Sequence, residues 1–102
     1  MRVGYSILRE INRGEFLPTE KDYGLRTREF ENFIKFLENE GYLERVLRLD
    51  DYFSIKPARL TNKGHELLNN NKKYEESYPE RKDLIKWVQV EKDLYSNGAV
   101  DE

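Results

Sequence analysis

Residues 41–68 read GYLERVLRLDDYFSIKPARLTNKGHELL, and this stretch decides the fold. Two β-prone runs, Tyr42–Leu49 and Tyr52–Ile55, flank the turn-forming pair Asp50 and Asp51. Asp-Asp is a weaker turn signal than Asp-Gly, so a loop longer than two residues is expected. Pro57 has no N–H to give a ladder, which ends the second strand near it. Leu60-Thr61-Asn62-Lys63-Gly64 then opens a helix with Thr61 as its cap. Gly64 falls in the first turn, where glycine costs helix stability, and close approach of another backbone would compensate. Leu43, Leu47 and Leu49 alternate with Val46, so both faces of the hairpin carry apolar residues and periodicity leaves its register open.

Upstream, a helix is expected from about Arg28 to Glu40, capped by Thr27 and stopped by Gly41. Phe30, Phe33, Ile34 and Leu37 form its apolar stripe, with Phe36 off it. Before it, Leu17-Pro18 reads as extended chain. Thr19, with Asp22 at the third helical position, caps a helix of roughly one turn that Gly24 ends. Val3, Ile7, Leu8 and Ile11 set the buried face of the first helix, with Arg9, Glu10 and Arg13 outward and Gly14 as its stop. Downstream, Leu67 and Leu68 point to the core, and residues 69–73 break the helix. Pro79 suits the first turn of a last helix whose face is Leu84, Ile85 and Val88, with Trp87 beside it. Residues 96–102 read as a frayed tail. The order predicts one α+β winged-helix domain over residues 1–95: five helices, the last an extra C-terminal helix, and a two-stranded wing.

The 102 residues suffice for one domain with a single core. Aromatics at 13% argue against disorder. Eighteen basic and 20 acidic residues leave a net charge of −2, so the basic field usual in nucleic-acid binders is absent. Without cysteine there is no disulfide, thiolate nucleophile or cysteine metal site, which fits a cytoplasmic protein. Residues 1–20 hold no basic region followed by an apolar run, so no signal peptide is expected, and no apolar stretch approaches membrane-spanning length.

Several segments together resemble the YjcQ family of small, phage-associated bacterial proteins. They are Tyr5-Ser6-Ile7-Leu8-Arg9-Glu10-Ile11, Leu17-Pro18-Thr19-Glu20-Lys21-Asp22-Tyr23-Gly24-Leu25 leading to Thr27, and Phe36-Leu37-Glu38-Asn39-Glu40-Gly41-Tyr42-Leu43. Leu60-Thr61-Asn62-Lys63-Gly64 and Ile85-Lys86-Trp87 complete the set. The Leu-Thr-x-Lys-Gly piece alone is common among winged-helix regulators; the combination in this order is more specific. The resemblance implies a winged-helix fold and a phage or prophage setting. It implies no activity and supplies no catalytic residues.

The helix at 28–40 would be the recognition helix, with Arg28, Asn32 and Lys35 placed to read bases. It carries two basic residues against four acidic ones, Glu29, Glu31, Glu38 and Glu40, which phosphates repel. From 41 to 73 the balance reverses, seven basic against four acidic. Arg45, Arg48, Lys56, Arg59 and Lys63 are therefore candidates for backbone contacts. Asp50 and Asp51 stand at the wing tip, where a minor-groove reader favours Arg or Lys. An ordinary solvated mixed-charge surface accounts for the same residues. Phe36, Trp87, Leu94 and Tyr95 are candidates for an apolar interface, including a homodimer through the last helix; the bland alternative is that this helix packs back on the first. His65 has no partner at metal-ligand spacing, and no phosphate loop, nucleophile elbow or paired-carboxylate motif occurs. Neither catalysis nor a cofactor is expected. Two functions fit: a winged-helix regulator binding double-stranded DNA, and a protein-interaction module that kept the fold without DNA binding.

Overall fold

The computed structural model describes residues 2–91. Helix α1 spans Arg2–Arg13, α2 Thr27–Asn39 and α3 Asn62–Asn70, while α4 covers residues 84–91. Between α2 and α3 run four short strands: β1 (Leu43–Glu44), β2 (Leu47–Leu49), β3 (Tyr52–Ser54) and β4 (Arg59–Leu60). This is the winged-helix order, with α2 in the recognition position and the hairpin as the wing.

Local chemistry sets the element ends. Thr19 and Asp22 do close a capping box, the Thr19 N–H donating to the Asp22 carboxylate at 2.8 Å. What it opens is a single 3₁₀ turn, Glu20–Tyr23, so the expected second helix is reduced to that turn. Tyr23 is buried from it and stacks on Phe30 of α2 at 6.4 Å. Helix α2 starts one residue early, with Arg26 as its cap and the Arg26 N–H donating to Glu29 at 2.8 Å. Gly14 and Gly41 end α1 and α2 with φ of +70° and +83°, the left-handed conformation a stop requires. Pro79 precedes the last helix instead of opening it; a 3₁₀ turn, Arg81–Asp83, leads into α4.

The wing departs from a simple two-stranded hairpin. β2 pairs with β3 (Leu47↔Ser54, Arg48↔Phe53, Leu49↔Tyr52), and β1 pairs with β4 (Leu43↔Leu60, Glu44↔Arg59). Both ladders belong to one hairpin, interrupted by residues 45–46 on one arm and 55–58 on the other. Arg45 takes φ +66°, and the Ala58 N–H closes a turn on the Ile55 carbonyl at 3.0 Å. Pro57 sits inside that turn, so the chain rejoins the ladder after it. The tip is tighter than expected: Asp50, at φ +40°, and Asp51 alone connect β2 to β3. The interruption also shifts the side-chain alternation. Leu43 and Val46 face the core, whereas Leu47 and Leu49 face outward.

The core gathers Val3, Ile7 and Leu8 of α1, Phe30, Ile34 and Leu37 of α2, Leu43, Ile55 and Ala58 of the hairpin, and Leu84 and Val88 of α4. Trp87 is 6% exposed. Its ring lies edge-on to Tyr74 and Tyr78 at 5.7 and 5.0 Å, and the Arg2 guanidinium sits 4.8 Å from its centroid. Its indole N–H donates to Ser77 at 3.0 Å. The last helix therefore packs back on α1, and Trp87 belongs to the core and not to an interface. Leu94, Tyr95 and the tail lie outside the described residues.

Candidate nucleic-acid interface

Buried Phe30, Ile34 and Leu37 turn one side of α2 inward and its opposite side to solvent. Arg28, Asn32 and Lys35, spaced i, i+4, i+7, share the outward crest, and all three are exposed. None of them makes a side-chain hydrogen bond or ion pair among the described residues. On the flank toward the wing, Glu38 accepts a 2.6 Å ion pair from Arg48 of β2. Glu31, one helical repeat earlier, acts on the same guanidinium. Glu38 and then Glu31 raise the pKa of Arg48, while partial burial opposes them. Arg48 also lies 5.5 Å from the centroid of its cross-strand neighbour Phe53. The inner face of the wing is thus seated on α2. The other flank of α2 carries half-buried Phe33 and Phe36, the latter 45% exposed.

The basic candidates do not converge. Arg48 is engaged with Glu38 and makes a wing-to-helix tie, not a free phosphate contact. Lys63 donates to the Glu40 carbonyl at 2.7 Å and stands over the Tyr42 ring at 5.1 Å. Arg59 donates to the Ala58 carbonyl at 2.9 Å. Lys56 and Arg59 border a groove with Gly14, Phe16 and Leu17, on the α1 side of the hairpin and away from the α2 crest. Arg45 is exposed at the hairpin base. The groove between α2 and the wing tip is lined by the Tyr52 and Phe53 rings and by Lys35 and Arg48 together with Glu31, Asp50 and Asp51, so carboxylates outnumber cations there.

The Leu60–Gly64 motif, read from the sequence as a family marker, is a joint. Leu60 pairs with Leu43 in the ladder. The Thr61 hydroxyl donates to the Gly41 carbonyl at 2.5 Å and accepts from the Gly64 N–H at 3.1 Å. The Thr61 N–H meets the Tyr42 carbonyl at 3.1 Å. The motif fastens the end of α2 to the start of α3, which holds the crest relative to the wing.

A second polar cluster was not anticipated. Glu10, expected to face outward, is 2% exposed. Its carboxylate accepts from Tyr78 at 2.6 Å and from Arg9 at 2.6 Å. Ser6 bonds the Tyr23 and Tyr78 hydroxyls at 2.8 and 2.7 Å. Glu75 takes the second Arg9 contact at 2.7 Å and the Tyr5 hydroxyl. Burial first, then Glu10, pushes the Tyr78 hydroxyl above its usual range. Burial would raise Glu75, but the hydrogen bonds from Arg9 and Tyr5 outweigh it and hold the carboxyl below its usual value. Every member is satisfied from within the chain, so the cluster ties residues 74–78 to α1. A spacing signal did exist: Val3, Ile7 and Glu10 follow i, i+4, i+7, which puts Glu10 on the apolar stripe.

Among the described residues no group of His, Asp and Glu is placed to hold a metal ion, and no helix is long and apolar enough to cross a membrane. No family model and no solved structure matches the chain. Among curated proteins it is 31% identical over 90 residues to "Uncharacterized protein YjcQ" of Bacillus subtilis (strain 168), a match covering 85% of this chain and 95% of that protein. The relative is of comparable length and aligns almost end to end, and the chain belongs to the YjcQ family.

Proposed function

We propose that this protein binds double-stranded DNA through the α2 crest, as a non-catalytic winged-helix regulator in the cytoplasm and in the phage or prophage setting the family resemblance implies. The observation carrying this reading is that Arg28, Asn32 and Lys35 stand exposed and unpaired in one line on the recognition helix, while Arg48 faces the carboxylates on the wing-side flank. Arg pairs with guanine edges and Asn with adenine edges, so the crest has base-reading chemistry. Asp50 and Asp51 keep phosphates from the wing tip, which confines the contact to α2. The footprint is short, and affinity rests on few phosphate contacts.

Anisotropy titration of labelled duplex DNA at low and moderate salt tests this. Association is expected at low salt, with a log–log salt slope of roughly −2 to −3, the value for two or three neutralised phosphates. Joint Arg28→Ala and Lys35→Ala substitution should weaken it at least about tenfold, since each contact contributes on the order of 1 kcal/mol or more. Asn32→Ala should relax base preference while leaving the salt slope in place. An absence of binding at low salt refutes the reading.

A second reading, a protein-interaction module, is favoured by one specific feature. The 3₁₀ turn Glu20–Tyr23 replaces the helix that braces a working helix-turn-helix on the DNA backbone. In that case the low-salt titration is flat and Phe36 belongs to the contact surface.

A further inference from the structure

The wing has two unlike faces. Arg48 and Phe53, paired across the ladder, point to α2, and Leu47, Leu49 and Tyr52, their neighbours along the strands, lie on the opposite face, with Tyr52 at the tip also bordering the groove to α2. These three are 37%, 60% and 55% exposed, the densest run of exposed large apolar side chains in the described residues. Two acidic side chains, Asp50 and Asp51, close one end of this face. Two basic side chains, Arg45 and Lys56, flank the hairpin where the tip ladder ends. All four are exposed, and none forms an ion pair among the described residues.

We infer that the outer face of the wing is a self-association surface whose occupant is the same face of a second copy, related by a two-fold axis. Such an axis makes a patch meet itself, so the contact requires self-complementarity. Along the hairpin the order is acidic, apolar, basic. Two such faces laid antiparallel bring Leu47, Leu49 and Tyr52 together. They also set the Asp50 and Asp51 tip of each copy beside Arg45 and Lys56 of the other. The parallel arrangement opposes like charges at both ends and is disfavoured. Three apolar side chains with four charges fall short of the roughly 800 Å² per partner of a standard interface, so the dimer is weak, with a dissociation constant on the order of 10–100 µM. The inference is independent of DNA binding, because it uses no residue of the α2 crest.

Sedimentation equilibrium from about 10 µM to about 1 mM reads the association directly. The wild-type chain should move from monomer to dimer across that range. Paired Asp50→Lys and Asp51→Lys substitutions should weaken dimerisation at least about tenfold, as should paired Arg45→Glu and Lys56→Glu substitutions. Mixing the two reversed proteins should restore association, because each tip then meets an opposite base. Leu49→Asp should abolish dimerisation in every combination. Unchanged far-UV circular dichroism melting confirms that each exposed substitution leaves the fold intact. A wild-type chain monomeric at about 1 mM, or a charge-reversed mixture that stays monomeric while wild type dimerises, overturns the inference.

Discussion

A methyl group on Gly64 would stand 2.3 Å from the Tyr42 carbonyl oxygen, a contact the backbone must open to relieve. Alanine in a helix interior is ordinarily about 1 kcal/mol better than glycine. Here the sign should reverse: Gly64→Ala is expected to destabilise by about 1–3 kcal/mol in urea unfolding, as for overpacked sites. Glu10 makes a parallel case with charge. Removing its carboxylate takes the charged acceptor from the Tyr78 hydroxyl, leaving it Ser6 alone, and one contact from the partly buried Arg9 guanidinium. Glu10→Ala should therefore cost about 3 kcal/mol, against about 1 kcal/mol for Tyr78→Phe, with both read from denaturation midpoints. The glycine was legible in the sequence because its helix position was unfavourable without a compensating contact. The glutamate was missed because charge on a helix is read as outward unless a partner is known, and its partner is 68 residues away.

At the scale of elements, the hairpin base is held to α2 by core packing, and the tip ladder is tied to it by an ion pair that is partly open to solvent. Arg48 and Glu38 are 38% and 24% exposed at the side chain, so the pair contributes under about 1 kcal/mol to global stability. Its role is positional. Arg48→Ala should leave the unfolding midpoint nearly unchanged while speeding amide exchange in β2 and β3, a local opening that hydrogen exchange resolves. The stops at Gly14 and Gly41, the Thr61 cap, the one-turn second element and the existence of a hairpin were readable from caps, glycines and β-prone runs, whereas the α2 cap, the end of α3 and the start of the last helix were not. The hairpin's register was not. Its apolar residues fit either face, and the interruption opposite residues 55–58 decides which leucines are buried. The candidate site was legible in the same uneven way. The α2 crest follows from helical periodicity, whereas the fates of Arg48, Arg59 and Lys63 depend on carbonyls and a carboxylate that folding brings to them.

Over the whole molecule, acid sensitivity follows from the tie between residues 74–78 and α1. Glu75 has a folded-state pKa below its unfolded value, so its ionised form favours folding. That contribution is complete above the unfolded carboxyl value of about 4.3 and is lost as pH falls through the depressed folded value. Thermal melts should show stability falling as pH drops below about 4.3, and Glu75→Gln should lower the melt near neutrality and flatten that decline. The cluster binds sequence-distant segments, and α4 closes over α1 through Trp87 beside it. By itself the sequence determined the order of helices and wing, the exposed crest of α2 and the family, because periodicity, caps and turn residues act within a few positions. Only the tertiary structure decided that Trp87 and Glu10 lie inside, that three of the basic candidates serve internal contacts, and that Leu47, Leu49 and Tyr52 face solvent. Those outcomes depend on which distant surfaces meet, and burial of a side chain is a property of its neighbours in space.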